Sequence, residues 1–212
     1  QTTAMLGAGN VRCGLVSANL GTALAVMASS KQAPASWRFG VSFGAHAVEG
    51  LHGLLSFTQT AAMALAWFRN TLAGEASTFH ELDEEAARVP PGAEGLIMLP
   101  HLTGTASPDF NAEARGAFIG LSLAHTRGHL VRAILESIAF CLREHVERLA
   151  AVAGPCEIIR ALGGGAKSAL WLQILADVTG LPVERPACSE AASLGAALLA
   201  AVGAGHFTSI ED

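Results

Sequence analysis

The residues best suited to chemistry lie at Ala161-Leu162-Gly163-Gly164-Gly165-Ala166-Lys167-Ser168, where an apolar run over 157–162 meets three glycines and then a helical pattern. Glycine has no Cβ and accepts φ > 0, so a ligand can reach main-chain N–H groups there. A helix starting just behind adds unpaired N–H groups and a partial positive charge. Phosphate or a nucleotide suits such a turn. A second turn, Gly21-Thr22, presents a backbone N–H and a hydroxyl between two apolar runs and can hold phosphate in the same way. Neither is a P-loop or a dinucleotide fingerprint. The P-loop positions for glycine are Ala161 and Ala166, and the third fingerprint glycine is Ser168. Each turn alone also reads as an ordinary connection. Two of them in one chain favour a shared ligand. On this reading a β-branched residue at Gly165 is expected to abolish nucleotide binding and leave the fold intact.

Other reactive residue types give weaker patterns. The four cysteines, Cys13, Cys141, Cys156 and Cys188, lie far apart with no CxxC pair, so zinc is not suggested and reduced thiols are expected. His125 and His129 are four apart but have no carboxylate or Cys at ligand spacing, and read as helix-start and surface residues. Glu136 sits mid-helix, where a carboxylate is more often structural or paired with a nearby Arg than catalytic. No metal site is expected.

The elements that must hold these residues follow from periodicity. Residues 16–28 read as a hairpin around a two-residue Gly21-Thr22 turn. Residues 56–72 read as a helix, with Phe57, Ala61, Leu65, Phe68 and Leu72 on one stripe. The acidic run at 81–85 reads as a short solvated helix before Pro90-Pro91-Gly92. Residues 96–99 form a short buried strand, 101–115 a long polar loop and 117–121 another extended run. Thr126 caps a long helix reaching about Ala151, with Leu130, Ile134, Ile138 and Leu142 inward. Arg132, Glu136, Arg143, Glu144, Glu147 and Arg148 are expected mostly on its solvent side. The strand into the glycine turn follows, then a helix over 168–179, a strand over 182–184 and an Ala-rich helix over 191–202. That last helix can pack internally or against a second copy, so a homodimer stays open. A hairpin followed by alternating strands and helices implies an α/β mixed sheet with helices on its faces.

Composition narrows the function classes. The chain has 212 residues, 51% of them hydrophobic and 15% charged, with a formal net charge of −5. It can bury a sizeable core. Lysine and arginine are scattered rather than clustered, which argues against a nucleic-acid partner. No apolar run is long enough for a membrane span and no signal peptide opens the chain, so a cytoplasmic protein is expected. The chain opens on Gln1 rather than Met and is expected to be a fragment of a longer protein.

The chain resembles the C-terminal domain of FGGY-type carbohydrate kinases, most closely the xylulokinase-like branch. The resemblance rests on a series of segments in the family's order. It runs through Leu20-Gly21-Thr22, Leu65-Ala66-Trp67-Phe68-Arg69 and Leu99-Pro100-His101-Leu102-Thr103-Gly104. It continues through Ala114-Arg115-Gly116-Ala117-Phe118-Ile119-Gly120-Leu121 and His125-Thr126-Arg127 with Ile134-Leu135-Glu136-Ser137-Ile138-Ala139-Phe140. It ends with Gly163-Gly164-Gly165-Ala166-Lys167-Ser168, then Trp171, Gln173, Ala176-Asp177 and Leu194-Gly195-Ala196-Ala197. The resemblance implies the ribonuclease-H-like fold of actin, hexokinase and Hsp70, with residues 1–212 forming one domain. It implies ATP, accompanied by Mg²⁺, and a sugar acceptor of the ketopentose or polyol class. ATP contacts would fall on Gly21, Thr22, Ala62, Ala66, Gly164, Gly165, Ala166 and Ser168, with Ala62 and Ala66 bordering adenine. Gln1 would help hold the sugar, and the general base would be an Asp directly before it. Asp109, Glu136 and Asp177 fall in family positions with other roles. A separate N-terminal domain would supply most of the sugar pocket, so the fragment alone is expected to be inactive. The chain departs from the family pattern at Thr105-Ala106, where many xylulokinases carry Glu-Arg, and at Ala62 and Ala66, where relatives often carry Gly and a longer polar residue. Two other readings stay open: an actin- or Hsp70-like nucleotide switch, and a catalytically inactive kinase domain.

Overall fold

A computed structural model describes residues 1–33, 40–74 and 76–210. Its centre is a six-stranded mixed sheet in the order β3-β4-β2-β1-β7-β8. The strands are β1 (Leu15–Leu20), β2 (Leu24–Ser30), β3 (Ser42–Ala45), β4 (His52–Thr58), β7 (Ile158–Leu162) and β8 (Val183–Glu184). A separate ribbon pairs β5 (Ile97–Leu99) with β6 (Ala117–Ile119). The helices are α1 (Thr2–Gly7), α2 (Ala62–Phe68, continued by a π-turn over Arg69–Ala73), α3 (Phe79–Ala87), α4 (Arg127–Ala153), α5 (Ala169–Thr179) and α6 (Ala191–Gly203).

Alternation along the strands sorts the two faces of the sheet. Val16, Ala18 and Leu20 of β1, with Ile159 and Ala161 of β7, join the large core that α4, α2 and α5 cover. Leu162 turns to the other face and packs with Ala4, Ala8 and Ala191 of α1 and α6. Those two helices cross closely. A Cβ at Gly7 would overlap the carbonyl of Ala191, and one at Gly195 would overlap that of Thr3. The Ala-rich helix therefore packs internally along this line, while Leu194 and Leu199 stay partly exposed.

Several expectations need correction. Residues 56–58 are not helical: they finish β4, paired with β2 through Ser56↔Val26 and Phe57↔Ala25, and the helix starts at Ala62. Phe57 and Ala61 happen to fall four apart, but sheet pairing overrides that spacing. Leu72 lies exposed in the π-turn. The hairpin loop has three residues, 21–23, because Leu20 pairs with Leu24. The 96–99 strand is buried only on one side, with Ile97 and Leu99 exposed. Neither α1 nor β3 is apparent from the sequence pattern.

Helix α4 carries two polar clusters that its periodicity does not reveal. Arg132 and Glu136 are buried rather than on the solvent side. Nε of Arg132 donates to Oε1 of Glu136 at 2.6 Å, and the same oxygen accepts the Gly92 N–H at 2.9 Å. Nη1 of Arg132 also donates to the Val89 carbonyl. The segment after α3 covers this face of α4, so the pair is a structural clamp. Further along, His145 is almost wholly buried. Its Nδ1 lies 2.8 Å from Ser56 Oγ and its Nε2 2.7 Å from Thr58 Oγ1. A neutral imidazole donates at one nitrogen and accepts at the other, and a hydroxyl can match either role.

Burial pushes His145 down from 6.5 to about 4. Between those values the unfolded chain binds a proton that the folded protein excludes, so stability falls as the pH drops through this window. The loss attributable to this residue should reach roughly 3 kcal/mol and level off below about pH 4. Denaturant unfolding of the native protein and His145→Gln at pH 7 and pH 4.5 should show the native protein losing more. Equal losses would contradict this origin.

Candidate functional site

β1 and β7 are parallel neighbours with Asn19 opposite Leu162. Their C-terminal ends therefore lie side by side, and the loops leaving them share one edge of the sheet. From β1 comes the 21–23 loop, and from β7 comes Gly163 with a 3-10 turn over Gly164–Lys167. This is the edge at which open α/β sheets bind ligands.

The hairpin loop also anchors α2. The carbonyls of Gly21 and Thr22 accept the N–H groups of Ala62 and Ala61, each at 2.9 Å. Gly21, Thr22 and Ala62 are thus joined directly, with half-buried Ala66 one turn further along α2. Because the loop's carbonyls point into the helix start, its N–H groups are left for other acceptors. Among the described residues none accepts from the N–H of Gly21 or Thr22.

Each glycine of the second turn has its own reason. Gly163 has φ +81°, and a Cβ there would stand 2.5 Å from Asn19 Oδ1 and 3.0 Å from the Leu20 carbonyl. Both the backbone and the space require glycine. Gly164 is exposed, with nothing near its Cβ position, and its N–H has no described acceptor. Gly165 is buried: a Cβ would fall 2.7 Å from the Trp171 ring and 2.8 Å from Leu20 Cβ. Trp171 is itself buried, with its Nε1–H donating to the Leu135 carbonyl at 3.1 Å. The expectation that a branched residue at Gly165 leaves the fold intact is therefore wrong, since it would push into the core. Ala166 is buried beside it. Ser168 caps α5, its hydroxyl accepting the Trp171 N–H at 3.0 Å. Nearby, burial pushes the Asp83 carboxyl up, an effect that the Ser168 hydroxyl partly offsets.

Two clefts flank the turn. One, of about 290 Å³, lies between Gly163–Lys167 and the 185–189 segment, with Arg185 and Cys188 on its wall. The other, of about 240 Å³, joins Gly163 and Gly164 to Asn19, Lys167, Ala4 of α1 and Glu190 before α6. Gln1 is the exposed N-cap residue of α1, one turn from Ala4, and its carbonyl accepts the Met5 N–H at 2.9 Å. Gly21 and Thr22 stand at the next loop and do not line either cleft.

The remaining reactive types are occupied elsewhere. All four cysteines are free, and burial pushes the thiols of Cys141 and Cys156 up to about 11, far from nucleophilic at neutral pH. His125 and His129 order the start of α4 by accepting the N–H groups of Ser122 and Thr126. Asp177 accepts from Gln173, and Asp109 is exposed in the long loop. Among the described residues no group of three or more His, Cys, Asp or Glu converges as a metal site, and no helix is long and apolar enough to cross a membrane.

Comparisons with known proteins identify the family and the fold. Residues 16–204 match the model of the FGGY family of carbohydrate kinases, C-terminal domain. The chain is 32% identical over 207 residues to a xylulose kinase of Bacillus subtilis, covering 98% of this chain and 41% of that protein. It is 34% identical over 215 residues to a glycerol kinase of Citrifermentans bemidjiense, covering 97% and 42%. The crystal structure of xylulose kinase from Rhodospirillum rubrum superposes with a TM-score of 0.86 at 37% identity, over 96% of this chain and 41% of that one. The chain belongs to the FGGY carbohydrate kinase family and has its ribonuclease-H-like fold. It spans about two fifths of the length of these relatives.

The two adjacent glycines should separate on substitution. Gly165→Val should lower stability by about 1–3 kcal/mol through overpacking against Trp171 and Leu20. Gly164→Val should change it by less than about 1 kcal/mol, because the added atoms meet open space. Chemical denaturation of both variants checks this, and equal losses would contradict it.

Proposed function

We propose that this chain is the nucleotide-binding C-terminal domain of an ATP-dependent sugar kinase. Its acceptor is a hydroxyl of a ketopentose-like sugar or polyol. The observation that carries the reading is the convergence of two glycine turns and a cleft at the ends of β1 and β7, in a chain of the FGGY family. N–H groups at Gly21, Thr22 and Gly164, which no described residue accepts, support phosphate contacts at both turns. Ala62 and Ala66 would border the base. Gly165, Ala166 and Ser168 act mainly by shaping and capping the second turn.

The relatives named xylulose kinase and glycerol kinase support the acceptor class. In the transfer, the sugar hydroxyl oxygen attacks the γ-phosphorus, the bond to the β–γ bridging oxygen breaks, and ADP leaves. The hydroxyl proton passes to a general base, which we assign to an Asp adjoining Gln1 in the full-length protein. Gln1, exposed at the start of α1, would orient the sugar. An N-terminal domain outside this chain would complete the sugar pocket and close over the cleft, excluding water that would otherwise hydrolyse ATP. Mg²⁺ would arrive on the ATP phosphates and offset their charge. Glu190 is the one carboxylate lining the cleft, alongside the cation of Lys167. The cytoplasm is the compartment this reading proposes.

The test is phosphorylation of a panel of ketopentoses and polyols by the full-length protein with MgATP, followed by mass spectrometry of the product. One sugar should gain a phosphate with stoichiometric ADP. Gly164→Val should lower kcat/KM for ATP at least about tenfold and leave the sugar KM within about twofold. ATP hydrolysis without any sugar phosphate would overturn the reading.

A further inference from the structure

We infer that Asn19 is a nucleotide-binding residue whose carboxamide contacts the phosphate chain between the two glycine turns. The inference rests on the nucleotide reading above.

Asn19 is the penultimate residue of β1. Strand alternation turns Leu20 into the large core, so Asn19 faces the opposite side of the sheet, towards α1 and α6. There it lines the 240 Å³ cleft with Gly163, Gly164 and Lys167. The end of its carboxamide stands beside both turns, with Oδ1 2.5 Å from the Cβ position of Gly163 and 3.5 Å from that of Gly21, and an amide flip puts the Nδ2 donor in the same place. Among the described residues no other side chain approaches the Cβ positions of both glycines so closely.

Its chemistry fits a ligand role better than a structural one. Carboxamides in a protein interior normally find hydrogen-bond partners. Asn10, the other asparagine near this sheet, does so: its Nδ2 donates to the Met27 carbonyl and its Oδ1 accepts from Ser29. Asn19 is half-buried, yet no described residue hydrogen-bonds its side chain. The cleft it faces also holds Lys167, which has no ion-pair partner among the described residues. An amide N–H₂ and an ammonium over one cavity suit an anion. Glu190 lies on the same wall, and a polyphosphate carrying a divalent cation matches both signs. The neutral carboxamide can donate to a phosphate oxygen without adding charge beside that cation.

The experiment compares ADP, with Mg²⁺, and adenosine binding to the full-length protein and to Asn19→Ala and Asn19→Asp, by calorimetry and competition. Asn19→Ala should weaken ADP about ten- to hundredfold, the loss of one hydrogen bond to a charged group. Asn19→Asp should weaken it further, because a carboxylate repels phosphate. Adenosine affinity should stay within about twofold in both variants, which a packing role for Asn19 would not allow. Parallel losses of ADP and adenosine, or ADP affinity unchanged in both variants, would overturn the inference. If Asn19→Asp does not fold, Asn19→Ala carries the comparison alone. Gly164→Val separates the two levels: if it weakens ADP while the Asn19 variants do not, only the Asn19 assignment falls. If the native protein does not bind ADP, both readings fall.

Discussion

Parallel pairing of β1 with β7 is the constraint from which the site follows. In a parallel pair both strands run the same way, so their C-terminal ends meet at one edge of the sheet. The register Asn19↔Leu162 brings Leu20-Gly21-Thr22 and Gly163-Gly164-Gly165 to the same sheet edge, where the proposed nucleotide would meet both. An antiparallel arrangement of the same two strands would send those turns to opposite edges. β2 is antiparallel to β1 and returns the hairpin, so its tip also ends at this edge.

Other contacts make that edge rigid. The carbonyls of Gly21 and Thr22 are used by the start of α2, which ties the loop to that helix. Trp171 fills the space under Gly165 and is itself fixed to α4 through the Leu135 carbonyl. Behind the sheet, α4 is held by the Arg132–Glu136 clamp at one end and by His145 with Ser56 and Thr58 at the other. On the opposite face α1 lies against α6 through Gly7 and Gly195, placing Ala4 at the cleft. Preorganised N–H donors need such support, because a phosphate site gains little from groups that must first be ordered.

Much of this was legible in the residues. The two glycine turns stood out because each sits between a strand pattern and a following element, and the ordered series of segments pointed to the family. What stayed hidden depended on the third dimension. Periodicity marks one inward stripe of α4 but cannot tell that the segment after α3 covers a second face and buries Arg132 and Glu136. The tight packing of Gly165 also stayed hidden, because its partner, Trp171, is close only once the 3-10 turn forms. The break at Gln59-Thr60 was lost because Phe57 and Ala61 imitate helical spacing across a strand end. Helix α1 has six residues and no side-chain cap, too little signal to read. Asn19 lay in plain view as one of two polar residues, with Ser17, on a strand, and only the parallel register gives it a place.

The measurement closest to the central claim is backbone amide hydrogen exchange with and without MgADP. If one nucleotide spans the edge formed by β1 and β7, the amides of Gly21-Thr22 and of Gly163–Lys167 should gain protection together, at the same ADP concentration. Protection at one turn with the other unchanged would contradict a shared ligand and leave the second turn as a connection.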